Sequence, residues 1–177
     1  MTNNNSESGL ALEANAVRLV NFDPRWQALF IAETARILEA LGPLARGIEH
    51  YGSTSVEGLA AKPILDILVG TDQFGDPKPF ASRLEPLGYE FAHWAGVPGH
   101  QVFGLGQPRT HLLHVVRFGE VEWHQALNFR DRLRSDSNVR NAYSELKREL
   151  AAKYPTDKPR YTAEKTSFID AVVGEQI

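Results

Sequence analysis

The stretch Gly52 to Gly70, GSTSVEGLAAKPILDILVG, sets one carboxylate, Asp66, in the middle of an apolar run. Burying an unpaired carboxylate costs roughly several kcal/mol even after relaxation, so Asp66 needs a partner or a chemical duty. Strand alternation puts Ile64, Asp66 and Leu68 on one face and Leu65, Ile67 and Val69 on the other. Both faces are largely apolar, which predicts an interior strand. Cations also fall on packing faces. Helical spacing sets Arg130 among Trp123, Ala126, Leu127 and Leu133, and Lys147 one turn after Tyr143. It also aligns Lys165 with Tyr161, Phe168, Ile169 and Val172. Taken singly, each cation reads as a snorkelling side chain or as the ion-pair partner of Asp66. Taken together, they predict a polar pocket between sheet and helices, where cations meet an anionic ligand and Asp66 holds one divalent ion, Mg²⁺ or Mn²⁺.

Other residues extend that pocket. A tight turn at Gly52 and Ser53 offers backbone N–H groups and a hydroxyl to phosphate, although many Gly-Ser turns look alike. It is no P-loop, because neither Gly52 nor Gly58 is followed by Lys-Ser or Lys-Thr, and GLGQPR at Gly104 lacks the third glycine of a dinucleotide fingerprint. His111 and His114 point to opposite faces of a strand and cannot share a zinc ion. His114, beside Val115 and Val116, reads either as a hydrogen-bonded core histidine or as a functional group. His50 is either structural or part of the pocket wall. Ser55, Lys62 and Tyr161 complete the expected lining, and Ser53, Asp66 and His114 are too generic a trio to read as a nucleophilic triad.

The elements that must position these groups follow from pattern. AVRLVNF (16–22) predicts a short strand, and DPRW starts an amphipathic helix with Asp23 as N-cap and Pro24 in its first position. GIEHYGSTS reads as a strand entering a turn, and a short helix spans 80–87. YEFAHW, QVFGLG and HLLHVVRFG predict an antiparallel meander. From about Glu120 three helices follow, over 120–134, 138–154 and 157–173. The chain of 177 residues is 42% hydrophobic, enough for one domain over 16–177 after a disordered polar tail, 1–15. A net charge of −3 argues against bulk nucleic-acid or membrane binding. The absence of cysteine removes disulfides and thiolate chemistry, and no segment resembles a leader or a membrane helix, so a cytoplasmic protein is expected.

Block by block, VNFDPRWQALFIAE, IEHYGSTSVEGLAAKPILDILVG, THLLHVV, FRDRLRS and YSELKRELAAKYPTDKPRYTAEKTSFI resemble the GrpB family of bacterial proteins, from about Val17 to Ile169. The resemblance implies an α+β, nucleotidyltransferase-like fold with a mixed or antiparallel sheet, an early packed helix and a helical C-terminal third. It also implies a functional link to dephospho-CoA kinase, to which a similar domain is attached in some bacteria. By the pattern of that fold, Gly52 and Ser53 match the phosphate turn and Asp66 the first metal-binding acid. Leu68 stands where a second acid belongs, His114 stands near the place of the third, and Glu57 replaces a proline. Two functions follow as expectations. One is a nucleotidyl or phosphoryl transferase using one divalent metal held by Asp66 and His114, with both of these catalytic and Gly52, Ser53, Arg130, Lys147 and Lys165 on phosphate. The other is a non-catalytic module that binds a nucleotide or CoA-type ligand, or docks a partner.

Overall fold

Helix α1 (Arg25–Leu41) begins where the sequence signals a start, but Pro24 is its N-cap. Asp23 acts one position earlier, its Oδ1 accepting the Arg25 N–H at 2.9 Å. Trp26, Glu33, Ile37 and Leu41 form the buried stripe, and Gly42 ends the helix at φ 53°. The computed structural model describes residues 9–93 and 97–174.

Five strands follow α1: β1 (Gly47–Tyr51), β2 (Leu65–Thr71), β3 (Tyr89–Phe91), β4 (Gln101–Leu105) and β5 (His111–Arg117). Helix α2 (Lys78–Leu84) lies between β2 and β3. The spatial order is β1-β2-β5-β4-β3. β1 runs antiparallel to β2, β2 parallel to β5, and β5, β4 and β3 antiparallel in turn. The expected meander therefore forms, but it joins the sheet through its last strand and makes the sheet mixed. That places β2 in the interior, as its two apolar faces require. The strand expected over YEFAHW is short, and its Trp94 lies outside the described residues.

Each face of the sheet has its own cover. Ile67, Val69, Leu113 and Val115 pack against Ile37 and Leu41 of α1 and Phe80 and Leu84 of α2. On the opposite face Leu68 and Val116 meet Trp123 of α3 (Val121–Ser135). Helix α4 (Ser137–Lys153) turns back at Asp136, whose side chain accepts the N–H groups of Asn138 and Val139. Val56 and Leu59, from the connection between β1 and β2, dock on Leu133 and Tyr143 of these two helices.

Three expectations change. Residues 16–22 make one isolated bridge, Val20 with Ala61, instead of the expected strand. The polar tail does not extend to Asn15: Leu10 packs with Trp26, Ala61 and Leu65, and Leu12 bridges Arg109. Both leucines are apolar enough to repay ordering the chain around them, while residues 1–8 lie outside the described residues. The last helix is two, α5 (Lys158–Ala163) and α6 (Thr166–Gly174), divided at Glu164 and Lys165. Among the described residues no helix is long and apolar enough to cross a membrane.

Candidate anion site between sheet and C-terminal helices

Strand register builds the site floor. β2 and β5 set Asp66 beside Leu112 and Leu68 beside His114, while β1 sets Tyr51 beside Asp66. After Tyr51 the chain turns at Gly52 (φ 66°, ψ −174°) into a single 3-10 turn, Ser53–Ser55. A Cβ on Gly52 would lie 2.6 Å from Asp66 Oδ2, so both backbone conformation and space demand glycine here. Above this floor α3, α4, α5 and α6 enclose a cavity of about 450 Å³. Gly52, Ser53, Lys62, Asp66, His114, Arg130, Lys147, Tyr161 and Lys165 all line it.

The charges are unevenly matched. Four lysines, Lys62, Lys147, Lys158 and Lys165, act electrostatically on Asp66. Among the described residues Asp66 makes no direct ion pair with any of them. Burial raises the Asp66 pKa, and the lysines only partly offset that. Burial also lowers the lysines, helped by their mutual repulsion: Lys147 to about 6, Lys165 to about 7 and Lys62 to about 8. Lys158 is lowered as well, chiefly by burial. Tyr161, almost wholly buried, presents its ring to two of them, with Lys165 Nζ 4.4 Å and Lys62 Nζ 5.4 Å from its centroid.

Two of the expected phosphate ligands have other commitments. Lys147, 2% exposed, donates to Ser53 Oγ at 2.9 Å and to the Ala60 carbonyl, tying the turn after β1 to α4. Arg130 Nη1 donates to Glu49 Oε2 at 2.7 Å and to the His50 carbonyl at 3.1 Å. Its Nε donates to Asp131 at 2.7 Å. Burial works against the Arg130 charge, but these two carboxylates raise its pKa overall. Arg130 thus reaches the cavity wall with its charge already matched.

His50 and Ser55 lie outside the cavity lining. His50 is stacked on Phe30 of α1, 4.7 Å between centroids, with Nε2 3.0 Å from Thr54 Oγ1. Burial, with Arg134 and Arg130 nearby, lowers its pKa to about 4. Alternation explains the placement, because His50 and Tyr51 must face opposite sides of β1. Ser55 Oγ donates to the Gly52 carbonyl at 2.7 Å and braces the turn.

Residues passed over in sequence complete the wall. Lys158 sits one turn before Tyr161 on α5, a spacing that could have shown it. His100, in the turn before β4, has Nδ1 3.2 Å from Nδ1 of His114. One of the two imidazoles must supply the proton and the other the lone pair. Burial, with His100, Lys158 and Lys62 nearby, pulls the His114 pKa down to about 3.

These residues do not fit a resident divalent ion. Asp66 and His114 offer one carboxylate and one imidazole, set among lysines whose charge repels a dication. Among the described residues no three His, Cys, Asp or Glu side chains are grouped to hold a metal. An Mg²⁺ or Mn²⁺ ion on Asp66 and His114 would thus have one carboxylate and one imidazole from the protein to hold it.

Residues 16–175 match the family described as GrpB protein. The chain is 35% identical over 172 residues to the glutamate-rich protein GrpB of Alkalihalophilus pseudofirmus, covering 94% of this chain and 99% of that one. It is 38% identical over 168 residues to a UPF0157 protein of Pseudomonas aeruginosa, covering 91% of this chain and 68% of the relative. The crystal structure of the conserved protein GrpB from Enterococcus faecalis superposes with a TM-score of 0.80 at 31% identity, over 89% of this chain and 96% of that one. On fold and on sequence alike, this chain belongs to the GrpB family.

Proposed function

We propose that the cavity binds a phosphorylated small molecule and that the protein works on it as a cytoplasmic binding module rather than as a two-metal nucleotidyl transferase. The observation that carries this is the surplus of lysines over carboxylates around Asp66. Lys62, Lys158 and Lys165 provide point charges for phosphate oxygens, and Ser53, held by Lys147 and Tyr143, borders the same cavity. Asp66 keeps the lysine heads gathered while no anion is bound. Of the carboxylate positions expected for two-metal transfer, Leu68 is buried against Val116 and Trp123, and His114 is hydrogen-bonded to His100. The family link to dephospho-CoA kinase makes CoA precursors the first compounds to test. A transferase reading keeps one supporting observation, the retained Asp66 facing the cavity.

A thermal-shift screen of inorganic phosphate, pyrophosphate, nucleotides and CoA precursors tests the proposal, because a ligand of the native state raises stability by mass action. A shift in the wild type that disappears in Lys165→Met is expected. If no phosphorylated compound shifts the transition, or the shift persists in Lys165→Met, the cavity is not the site. Pyrophosphate release from a triphosphate that Asp66→Ala abolishes would establish the transferase instead.

A further inference from the structure

Resting on the phosphate reading of the cavity, we infer that the ligand is a phosphate monoester of an apolar alcohol, with an aryl or alkyl body, rather than a nucleoside triphosphate. Charge is the first observation. Lys147 is engaged with Ser53 and Ala60, and Arg130 is matched by Glu49 and Asp131. Lys62, Lys158 and Lys165 then face Asp66, three cations to one carboxylate. Glu122, the second carboxylate on the cavity wall, acts on His100 rather than on these lysines, so with all three protonated the surplus around Asp66 is two positive charges. A phosphate monoester carries roughly −1.5 to −2 near pH 7 and cancels that surplus. A triphosphate brings more negative charge than the lysines offset, and the donor set around Asp66 does not fit a metal ion that would neutralise the rest.

The wall is the second observation. Val102 and Leu112 from the sheet, Ala126 and Phe129 from α3, and Ile169 from α6 all line the same cavity. Leu112 lies beside Asp66 in the sheet, so apolar surface begins next to the charged group. Glu122 and Gln125 are polar exceptions on this stretch of wall, both in the first turns of α3. The two histidines nearby bond each other through their Nδ1 atoms, which leaves their Nε2 atoms as the polar groups they bring to this wall. A phosphate gathered by the lysines therefore leaves its alcohol against side chains that reward apolar area more than hydroxyls or amides.

Titration calorimetry on the full chain at pH 7 tests this with inorganic phosphate, methyl, butyl and phenyl phosphate, and ATP with and without Mg²⁺. Affinity is expected to rise about three- to fourfold for each methylene buried. Phenyl phosphate should bind more than tenfold tighter than inorganic phosphate and tighter than either form of ATP. Ala126→Phe, checked for cooperative unfolding, should shrink the ratio of phenyl phosphate to inorganic phosphate affinity. A series with no dependence on the body, while inorganic phosphate still binds, overturns the apolar-alcohol inference and leaves the phosphate site standing. ATP binding tighter than phenyl phosphate overturns it equally. Failure of every compound to bind would remove the phosphate site and this inference together.

Discussion

Gly52 and Asp66 compete for one volume: a Cβ at position 52 would stand 2.6 Å from Asp66 Oδ2 and 2.9 Å from Asp66 Cβ. The turn also holds Gly52 at φ 66°, where a side chain is strained. Gly52→Ala should therefore destabilise by about 2 to 4 kcal/mol, the sum of left-handed backbone strain and overpacking. Urea unfolding of Gly52→Ala beside Gly52→Ala/Asp66→Ala checks it. Measured against Asp66→Ala alone, the double variant should recover the part owed to the carboxylate and keep both the backbone strain and the 2.9 Å contact with the Cβ of residue 66; no recovery would mean that the carboxylate is not the obstacle.

Asp66→Asn should leave the fold intact and make the ligand-free protein at least as stable as the wild type at pH 7. Burial raises the Asp66 pKa above its unfolded value of 3.8, so its ionised form counts against folding at neutral pH. That cost is full above the folded pKa, shrinks as pH falls toward 3.8 and is gone below it, where the group is protonated in both states. Chemical denaturation from pH 7 to 4 should show any advantage of the variant closing. A sharp loss of stability in Asp66→Asn at pH 7 would assign the carboxylate a structural role.

Lys147 has the opposite slope. Its pKa of about 6 in the folded chain lies below the unfolded value of 10.5. Between those values the unfolded chain binds more protons, so this lysine should raise stability with pH by up to about 1.4 kcal/mol per unit. The penalty of the buried ammonium is full below the folded value and fades as pH climbs toward 10.5. Lys147→Met should flatten the dependence measured from pH 6.5 to 9, even though losing the bonds to Ser53 and Ala60 lowers stability overall.

Phosphate binding should draw protons onto the lysines, since an anion favours their charged forms. With Lys165 at about 7 and Lys62 at about 8, affinity for inorganic phosphate should fall between pH 6.5 and 8.5. Calorimetry in two buffers of different ionisation heat should show net proton uptake. Proton release beyond what the phosphate's own ionisation accounts for would contradict the charge assignment.

Lys165→Met and Arg130→Met should separate binding from support. Lys165→Met should weaken phosphate by about 1.5 to 3 kcal/mol and leave the fold in place. Arg130→Met should change phosphate affinity little but cost about 1 to 3 kcal/mol of stability, because the His50 carbonyl and Glu49 lose their donor. Equal effects on affinity would return Arg130 to the ligand.

The position of Asp66 was legible because a charge inside an apolar strand is conspicuous, and period-3.6 spacing exposed Lys147 and Lys165 in the same way. What spacing does not carry is commitment. Lys147 and Lys165 look alike on a helical stripe, yet one is bonded to Ser53 and Ala60 while the other lies over the Tyr161 ring. Arg130 looked available because Glu49, its partner, is 81 residues away in sequence. Nearness to Gly52 in the chain suggests the pocket for His50, whereas strand alternation sends it to the opposite layer. The expected meander was correct in its pairings, but the parallel join of β5 to β2 depends on long-range packing.

That parallel join also sets an order of assembly. Antiparallel neighbours β1 and β2, and β3, β4 and β5, close through connections short enough to form early, whereas Leu65 must find His111 across the whole intervening chain. Loop closure of that span is the slow, entropically costly step. Docking β5 on β2 is expected to be the event that creates the floor of the cavity, with α5 and α6 adding the lysines afterwards. Substitutions across the β2–β5 seam, such as Leu113→Ala, should slow refolding, whereas Lys158→Met should act mainly on unfolding; the reverse pattern in stopped-flow traces would invert the order.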